Sequence, residues 1–195
     1  MLGLNYCTWF KLQWVDVLRS FLKEAEWSRN KSVPSMEEYE PNSIVSLAMG
    51  VIVLPSLYLM GPQLPQETIE SDEYNQLFHI LSFYGRLLND VNGYKREKEQ
   101  GKLNSVALQV IHGSSEEEII KKMRVKIDEK RKELLRKVLQ KEGSVVPGEV
   151  KQVFWKMAKL LTLIYKKDDV MHENEMPQEM FSIKDALLGD PIVFN

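Results

Sequence analysis

In the stretch LLNDVNGYKRE, residues 87–97, an amide, a glycine and a carboxylate stand four positions apart as Asn89, Gly93 and Glu97. On a helix such residues share one face, and Arg86 and Arg96 fall within a turn of it. One stripe therefore carries an amide oxygen, a bare backbone position, a carboxylate and two guanidinium groups. Asn and Glu offer the hard oxygens that Mg²⁺ accepts, and Mg²⁺ keeps waters readily, so a water can fill the middle position. The arginines would then bind the phosphate or diphosphate that accompanies such an ion. From Asn89 to Glu97 the helix rises about 12 Å, so the side chains must converge from both ends. The alternative is an exposed stripe on which Glu97 pairs with a Lys or Arg at i±3 or i±4, each pair worth about 0.2–0.5 kcal/mol. Asn, Gly and Glu are common residues, and spacing alone favours this plainer arrangement.

The elements that position these residues read as helices throughout. Ser71 or Asp72 can cap a long helix that reaches about Gln100 and ends at Gly101, so the stretch lies inside a helix and not in a turn. Before it, Trp14, Val17, Leu18, Phe21, Leu22 and Ala25 recur at helical spacing and predict an amphipathic helix ending near Trp27. Ser35, followed by Glu37 and Glu38, opens a short helix that Pro41 is expected to break. Residues 44–60, IVSLAMGVIVLPSLYLM, carry no charge and approach the roughly 20 apolar residues of a membrane span. Ser46, Pro55, Ser56 and the lack of a flanking basic cluster make a broken core helix the better reading, with no membrane span.

After the central helix comes a short apolar segment over 103–111. Ser115 and Glu118 then form a capping-box pattern that opens a highly charged helix with a stripe of Ile120, Met123, Ile127, Leu134 and Val138. GSVVPG, residues 143–148, is a loop by composition, and a last helix is predicted over 153–165. Trp27, Phe154 and Trp155 read as core. Strand alternation is weak everywhere, which leaves an all-α bundle.

A chain of 195 residues is enough for one domain with a core. Its 26 basic and 28 acidic residues give a net charge of −2, which supplies no electrostatic case for nucleic acid or an anionic membrane. A lone Cys7 excludes an internal disulfide framework, and with His79, His112 and His172 it cannot form a standard zinc set. The chain reads as reduced and intracellular. MLGLNYCTWF has no basic leader region, so no targeting segment is visible.

Beyond spacing, GRLLNDVNGYKREKEQGKLNSVALQVIHG resembles the second metal-binding motif of plant class I terpene synthases. FLKEAEW, VPSMEEYEPNSIVSLAMG, KEGSVVPGEVKQVFWKM and IYKKDD are similar to the kaurene synthase and kaurene synthase-like branch, diterpene cyclases acting on copalyl diphosphate. The resemblance runs from about Trp14 to the C-terminus, with residues 1–13 an unmatched leader. It implies an all-α fold, the C-terminal part of the class I isoprenoid synthase helical bundle, with the whole of 1–195 forming one incomplete metal-binding domain. It also implies Mg²⁺ as cofactor, a prenyl diphosphate such as ent-copalyl diphosphate as substrate, and a plastid setting for the family. The chain as given, with no transit peptide, would be cytoplasmic.

Carried over residue by residue, the resemblance makes Asn89 and Glu97 metal ligands, with Gly93 at a position that the family usually fills with Ser or Thr. It makes Arg86 a diphosphate contact, with Arg96 beside it. Asp90 belongs to the motif but points off the ligand face and is expected to make a supporting hydrogen bond. AMGVIVLP resembles the kinked helix that lines the cyclase pocket, with Ile52 at an outcome-influencing position. Tyr165 and Asp169 match a pocket-closing aromatic and acid.

The family's first metal motif, an aspartate-rich DDxxD, is not found in the chain. Asp168 and Asp169 are followed by Val170, Met171 and His172, and the sequence has no other adjacent Asp pair. No catalytic residue is assigned within these 195 positions. Two functions follow: a magnesium-dependent diterpene cyclase forming a kaurene-like hydrocarbon, or a non-catalytic helical remnant or interaction subunit.

Overall fold

A computed structural model describes residues 3–59 and 64–165, and among these it contains eight α-helices and no strand. They are α1 (Gly3–Asn30), α2 (Met36–Ser46), α3 (Met49–Leu59), α4 (Gln66–Ile69), α5 (Asp72–Glu99), α6 (Ser105–Ile111), α7 (Glu116–Leu139) and α8 (Gly148–Ile164). The central helix has the predicted bounds: the Ser71 hydroxyl accepts from Tyr74 N at 3.2 Å, and Gln100 caps the other end. Donor-rich starts and acceptor-rich ends are thereby satisfied locally.

α5 is the hub because two of its faces are apolar. Leu77, Leu81, Tyr84 and Leu88 pack into a cluster with Val53 and Leu57 of α3, Leu134 of α7 and Phe154 of α8. Phe83, Leu87 and Tyr94 pack into a second cluster with Val106 of α6 and with Ile119 and Met123 of α7. Each fully buried side chain of this kind contributes about 1.5–3 kcal/mol. The polar stripe of Arg86, Asn89, Gly93 and Glu97 lies between the clusters, so the two cores fix its direction. Gly85 permits close packing here, since a Cβ would come within 2.7 Å of Leu47 Cδ2 and 2.9 Å of Leu161 Cδ1.

Several elements depart from the sequence reading. Pro41 does not break its helix but lies inside α2. A proline removes one N–H donor, and here the carbonyl left without it belongs to Glu37, which is exposed, as is Pro41 itself. The Ser35–Glu38 capping box is complete, with Glu38 N to Ser35 Oγ at 3.2 Å and Ser35 N to Glu38 Oε2 at 3.0 Å. The break comes at Ala48, which adopts φ 62°, a left-handed conformation that ends a helix. The apolar segment Met36–Leu59 is long and apolar enough to cross a membrane, yet it is divided there into α2 and α3, and Val53 and Leu57 are wholly buried.

α1 is continuous from Gly3, and its apolar stripe is only partly covered. Val17 is 2% exposed, whereas Trp14, Leu18, Phe21 and Leu22 stand in solvent. Trp27 is half-buried under the Lys23 ammonium, 5.0 Å from the ring centroid, and is not core. Phe154 is core as expected, with Trp155 packed at the edge. α7 buries Ile119 in place of Ile120, one position round the helix. α8 starts at Gly148, five residues before the predicted start.

An ion pair locks the far end of α5. Lys151 of α8, 1% exposed, meets Glu73 Oε1 at 2.5 Å, and its Nζ also donates to Gln140 O at 2.8 Å. Val145 N, Val146 N and Ser144 Oγ donate to the same carboxylate at 2.7, 3.0 and 2.9 Å. Burial pushes the Glu73 carboxyl upward, but Lys151 and these donors outweigh it and bring it down to about 2.

Candidate metal-binding site

Arg86 is the anchor of the polar stripe. Its Nε donates to Ser43 O at 2.7 Å and its Nη2 to Ser46 Oγ at 3.1 Å. These groups lie in the last turn of α2, where the helix dipole favours a cation, and Ser43 O accepts from Leu47 N at 3.2 Å as well. Arg86 Nη1 donates to Asn89 Oδ1 at 2.9 Å and to Asp90 Oδ1 at 3.2 Å. Burial disfavours the charged guanidinium, but Asp90 reverses that and its pKa is raised, so Arg86 stays cationic.

Asp90 is 1% exposed and turned away from the stripe, as expected. Besides Arg86 it accepts from the Tyr39 hydroxyl at 3.3 Å and from Ser105 N at 3.3 Å. Burial, and then the Asp90 charge, push the Tyr39 phenol well up, so it remains a donor. The buried carboxylate thus ties α5 to both α2 and α6, and its charge is matched.

On the stripe itself, Asn89 Nδ2 donates to Tyr165 Oη at 3.0 Å. Tyr165 caps α8, so two residues distant in sequence meet here. Glu97 folds back along its helix: a Cβ at Gly93 would sit 2.7 Å from Glu97 Oε1 and 3.0 Å from its Cδ. The bare Gly93 position is what the carboxylate lies over. Glu97 Oε2 accepts from Asn104 Nδ2 at 2.7 Å, and Arg96 Nη2 is 3.8 Å from Oε1. The Glu97 side chain is 15% exposed and that of Arg96 55%.

The structure joins Arg86, Asn89 and Tyr165 by hydrogen bonds and lays Glu97 over Gly93 beside Asn104, with the more exposed Arg96 at the edge; the two sets are linked through Asp90, whose carboxylate accepts from Arg86 and whose main-chain oxygen accepts from Asn104. It does not bring in Ile52, which is 45% exposed on α3. Asp169 lies outside the described residues. Glu97 does not follow the plain surface-pair arrangement, since its shortest contact is the amide of Asn104 and not a cation.

Sequence reasoning missed Asn104, Tyr39, Ser43 and Ser46. Asn104 had a signal, because an Asn directly before an apolar helical segment is an N-cap candidate, and its Oδ1 does accept from Val106 N at 2.8 Å. Tyr39 had none, standing 51 positions from Asp90.

The donor types on the stripe suit a hard divalent ion. The donors are an amide oxygen with a second lone pair beside its Arg86 contact and a carboxylate oxygen over a glycine, with room left by the missing side chain for water. Among the described residues no three His, Cys, Asp or Glu side chains cluster as a metal site.

Comparison with known proteins agrees with the fold and with the metal. The model of the terpene synthase family, metal binding domain, matches residues 3–133. Ent-kaurene synthase-like 1 of Ricinus communis is 44% identical over 185 residues, 93% of this chain and 24% of the relative. Chloroplastic ent-kaurene synthase TSP4 of Vitex agnus-castus is 43% identical over 183 residues, 92% of this chain and 23% of the relative. The chain thus spans about a quarter of the length of these relatives, and the name of the second supports a plastid setting for the family. Isoprene synthase from grey poplar leaves, Populus x canescens, solved with three Mg²⁺ ions and dimethylallyl-S-thiolodiphosphate, superimposes with a TM-score of 0.76. That match has 25% identity and covers 95% of this chain and 35% of the other. The all-α architecture, the metal-binding domain match and the kaurene synthase-like relatives agree: the chain belongs to the terpene synthase family.

Proposed function

We propose that this chain carries one wall of the Mg²⁺–diphosphate site of a class I diterpene synthase acting on ent-copalyl diphosphate or a related prenyl diphosphate. The observation that carries the reading is that Asn89, held by Arg86 and Tyr165, and Glu97, lying over Gly93, share one helix whose two polar sets are linked through Asp90 and Asn104. In this reading Asn89 and Glu97 hold the ion, which when bound neutralises charge on a departing diphosphate. Arg86, fixed by Asp90 and the end of α2, keeps its charge beside Asn89 and orients a phosphate oxygen. Arg96 is free to swing toward the same anion. Tyr165 holds the Asn89 amide from the nitrogen side, and the ion would take the Oδ1 lone pair that Arg86 does not use. Ile52 and α3 would line the apolar part of the pocket. The product is a kaurene-like hydrocarbon.

The exposed apolar face of α1 favours a second reading, in which the chain is a non-catalytic helical subunit that works only against a partner. Incubation of the purified chain with ent-copalyl diphosphate and Mg²⁺, followed by gas chromatography, separates the two. A hydrocarbon absent from the boiled control and from Asn89→Ala and Glu97→Ala supports the cyclase. No product, or product undiminished in both variants, overturns it.

A further inference from the structure

We infer that Asn104 is a positioning residue for Glu97, aiming its carboxylate into the candidate ion site, and not merely the cap of α6. The inference rests on Glu97 being a ligand. Asn104 is 0% exposed, and its side chain divides two tasks between two ends. The carbonyl end accepts from Val106 N at 2.8 Å, which is the capping bond. The amide end donates to Glu97 Oε2 at 2.7 Å and to Asp90 O at 2.9 Å. Capping needs only the oxygen, and Ser or Thr would supply it. Neither presents an NH₂ group that reaches a carboxylate and a main-chain carbonyl together.

The geometry explains what the amide adds. Glu97 is in the last turn of α5, with several rotatable bonds and with Arg96 adjacent, and a side chain so placed turns readily to solvent. Asn104 holds Oε2, and Oε1 is left over Gly93 with its nearest cation at 3.8 Å. One oxygen is thus spoken for by the protein and the other faces the stripe shared with Asn89. The same NH₂ group ties the helix backbone at Asp90, so carboxylate and helix are held by one buried residue. Partners behind a ligand typically govern metal affinity by about ten- to a hundredfold.

The test is Mn²⁺ binding to the 195-residue chain by electron paramagnetic resonance, with helix content and melting followed by circular dichroism. Wild type, Asn104→Ser, Asn104→Thr, Glu97→Gln and Glu97→Gln/Asn104→Ser are compared. Asn104→Ser and Asn104→Thr should keep the cap and the helix content while weakening Mn²⁺ about tenfold or more. In the Glu97→Gln background Asn104→Ser should add little further loss, because the carboxylate it acted on is gone. An equal loss in both backgrounds would show a general structural effect and overturn the inference. Wild-type affinity in Asn104→Ser with reduced affinity in Glu97→Gln would also overturn it, while leaving Glu97 a ligand. Unchanged or absent binding across all five chains would remove the ligand reading, and this inference with it.

Discussion

Gly93 stands where the resemblance to the family motif implies Ser or Thr, and the structure shows what fills the space its missing side chain leaves. The Glu97 carboxylate occupies the space above the bare backbone, and the atoms a new Cβ would meet are the far end of a flexible side chain. Gly93→Ser should therefore be accommodated by a small shift of Glu97. In the proposed site it would supply a hydroxyl ligand, worth about 1 kcal/mol or roughly fivefold in Mn²⁺ affinity, and it removes a helical glycine. Titration of that variant against wild type checks this; weaker binding would mean that Glu97 needs the glycine. Much at this scale was legible in the sequence. The four-residue spacing put Asn89, Gly93 and Glu97 on one face, and the off-face position of Asp90 correctly indicated a supporting role. The partners Tyr39 and Ser43 were not legible, because α2 meets α5 only through tertiary packing, with nothing in either segment to announce it.

Among the elements, α5 was read almost to the residue because Ser71 and the glycine after Gln100 are strong local signals. Pro41 misled, since an exposed proline costs a helix one hydrogen bond whose acceptor stays open to solvent. Ala48, the actual break, has no local signature. The anchor of α5 against α8, Glu73 with Lys151, was also invisible, being set by the approach of a loop 71 positions away. It yields a pH prediction. Glu73 is held at about 2 in the folded chain and titrates near its ordinary 4.5 when unfolded. Its stabilisation is therefore fully present above about pH 4.5 and lost as pH falls toward 2, up to about 3 kcal/mol in all. Urea unfolding of Glu73→Gln at pH 7 should show a loss of that order, and the gap to wild type should narrow on acidification. A gap independent of pH would contradict the assignment.

At the scale of the whole molecule, two apolar clusters flank one polar stripe, and the stripe ends up presented by a helix fixed on both sides. The all-helical class was legible because no segment alternates and every long segment keeps a helical period. The exposure of Trp14, Leu18, Phe21 and Leu22 on α1 was not, because periodicity reports which face is apolar and not whether anything covers it. The chain spans about a quarter of its relatives' length, so its own contribution is best measured as binding. The most direct measurement is calorimetric titration of the purified chain with inorganic diphosphate, with and without Mg²⁺. The account predicts that heat of binding requires Mg²⁺ and is lost in Asn89→Ala and Glu97→Ala, with both variants folded by circular dichroism. Diphosphate binding that is independent of Mg²⁺, or unchanged in both variants, would contradict it.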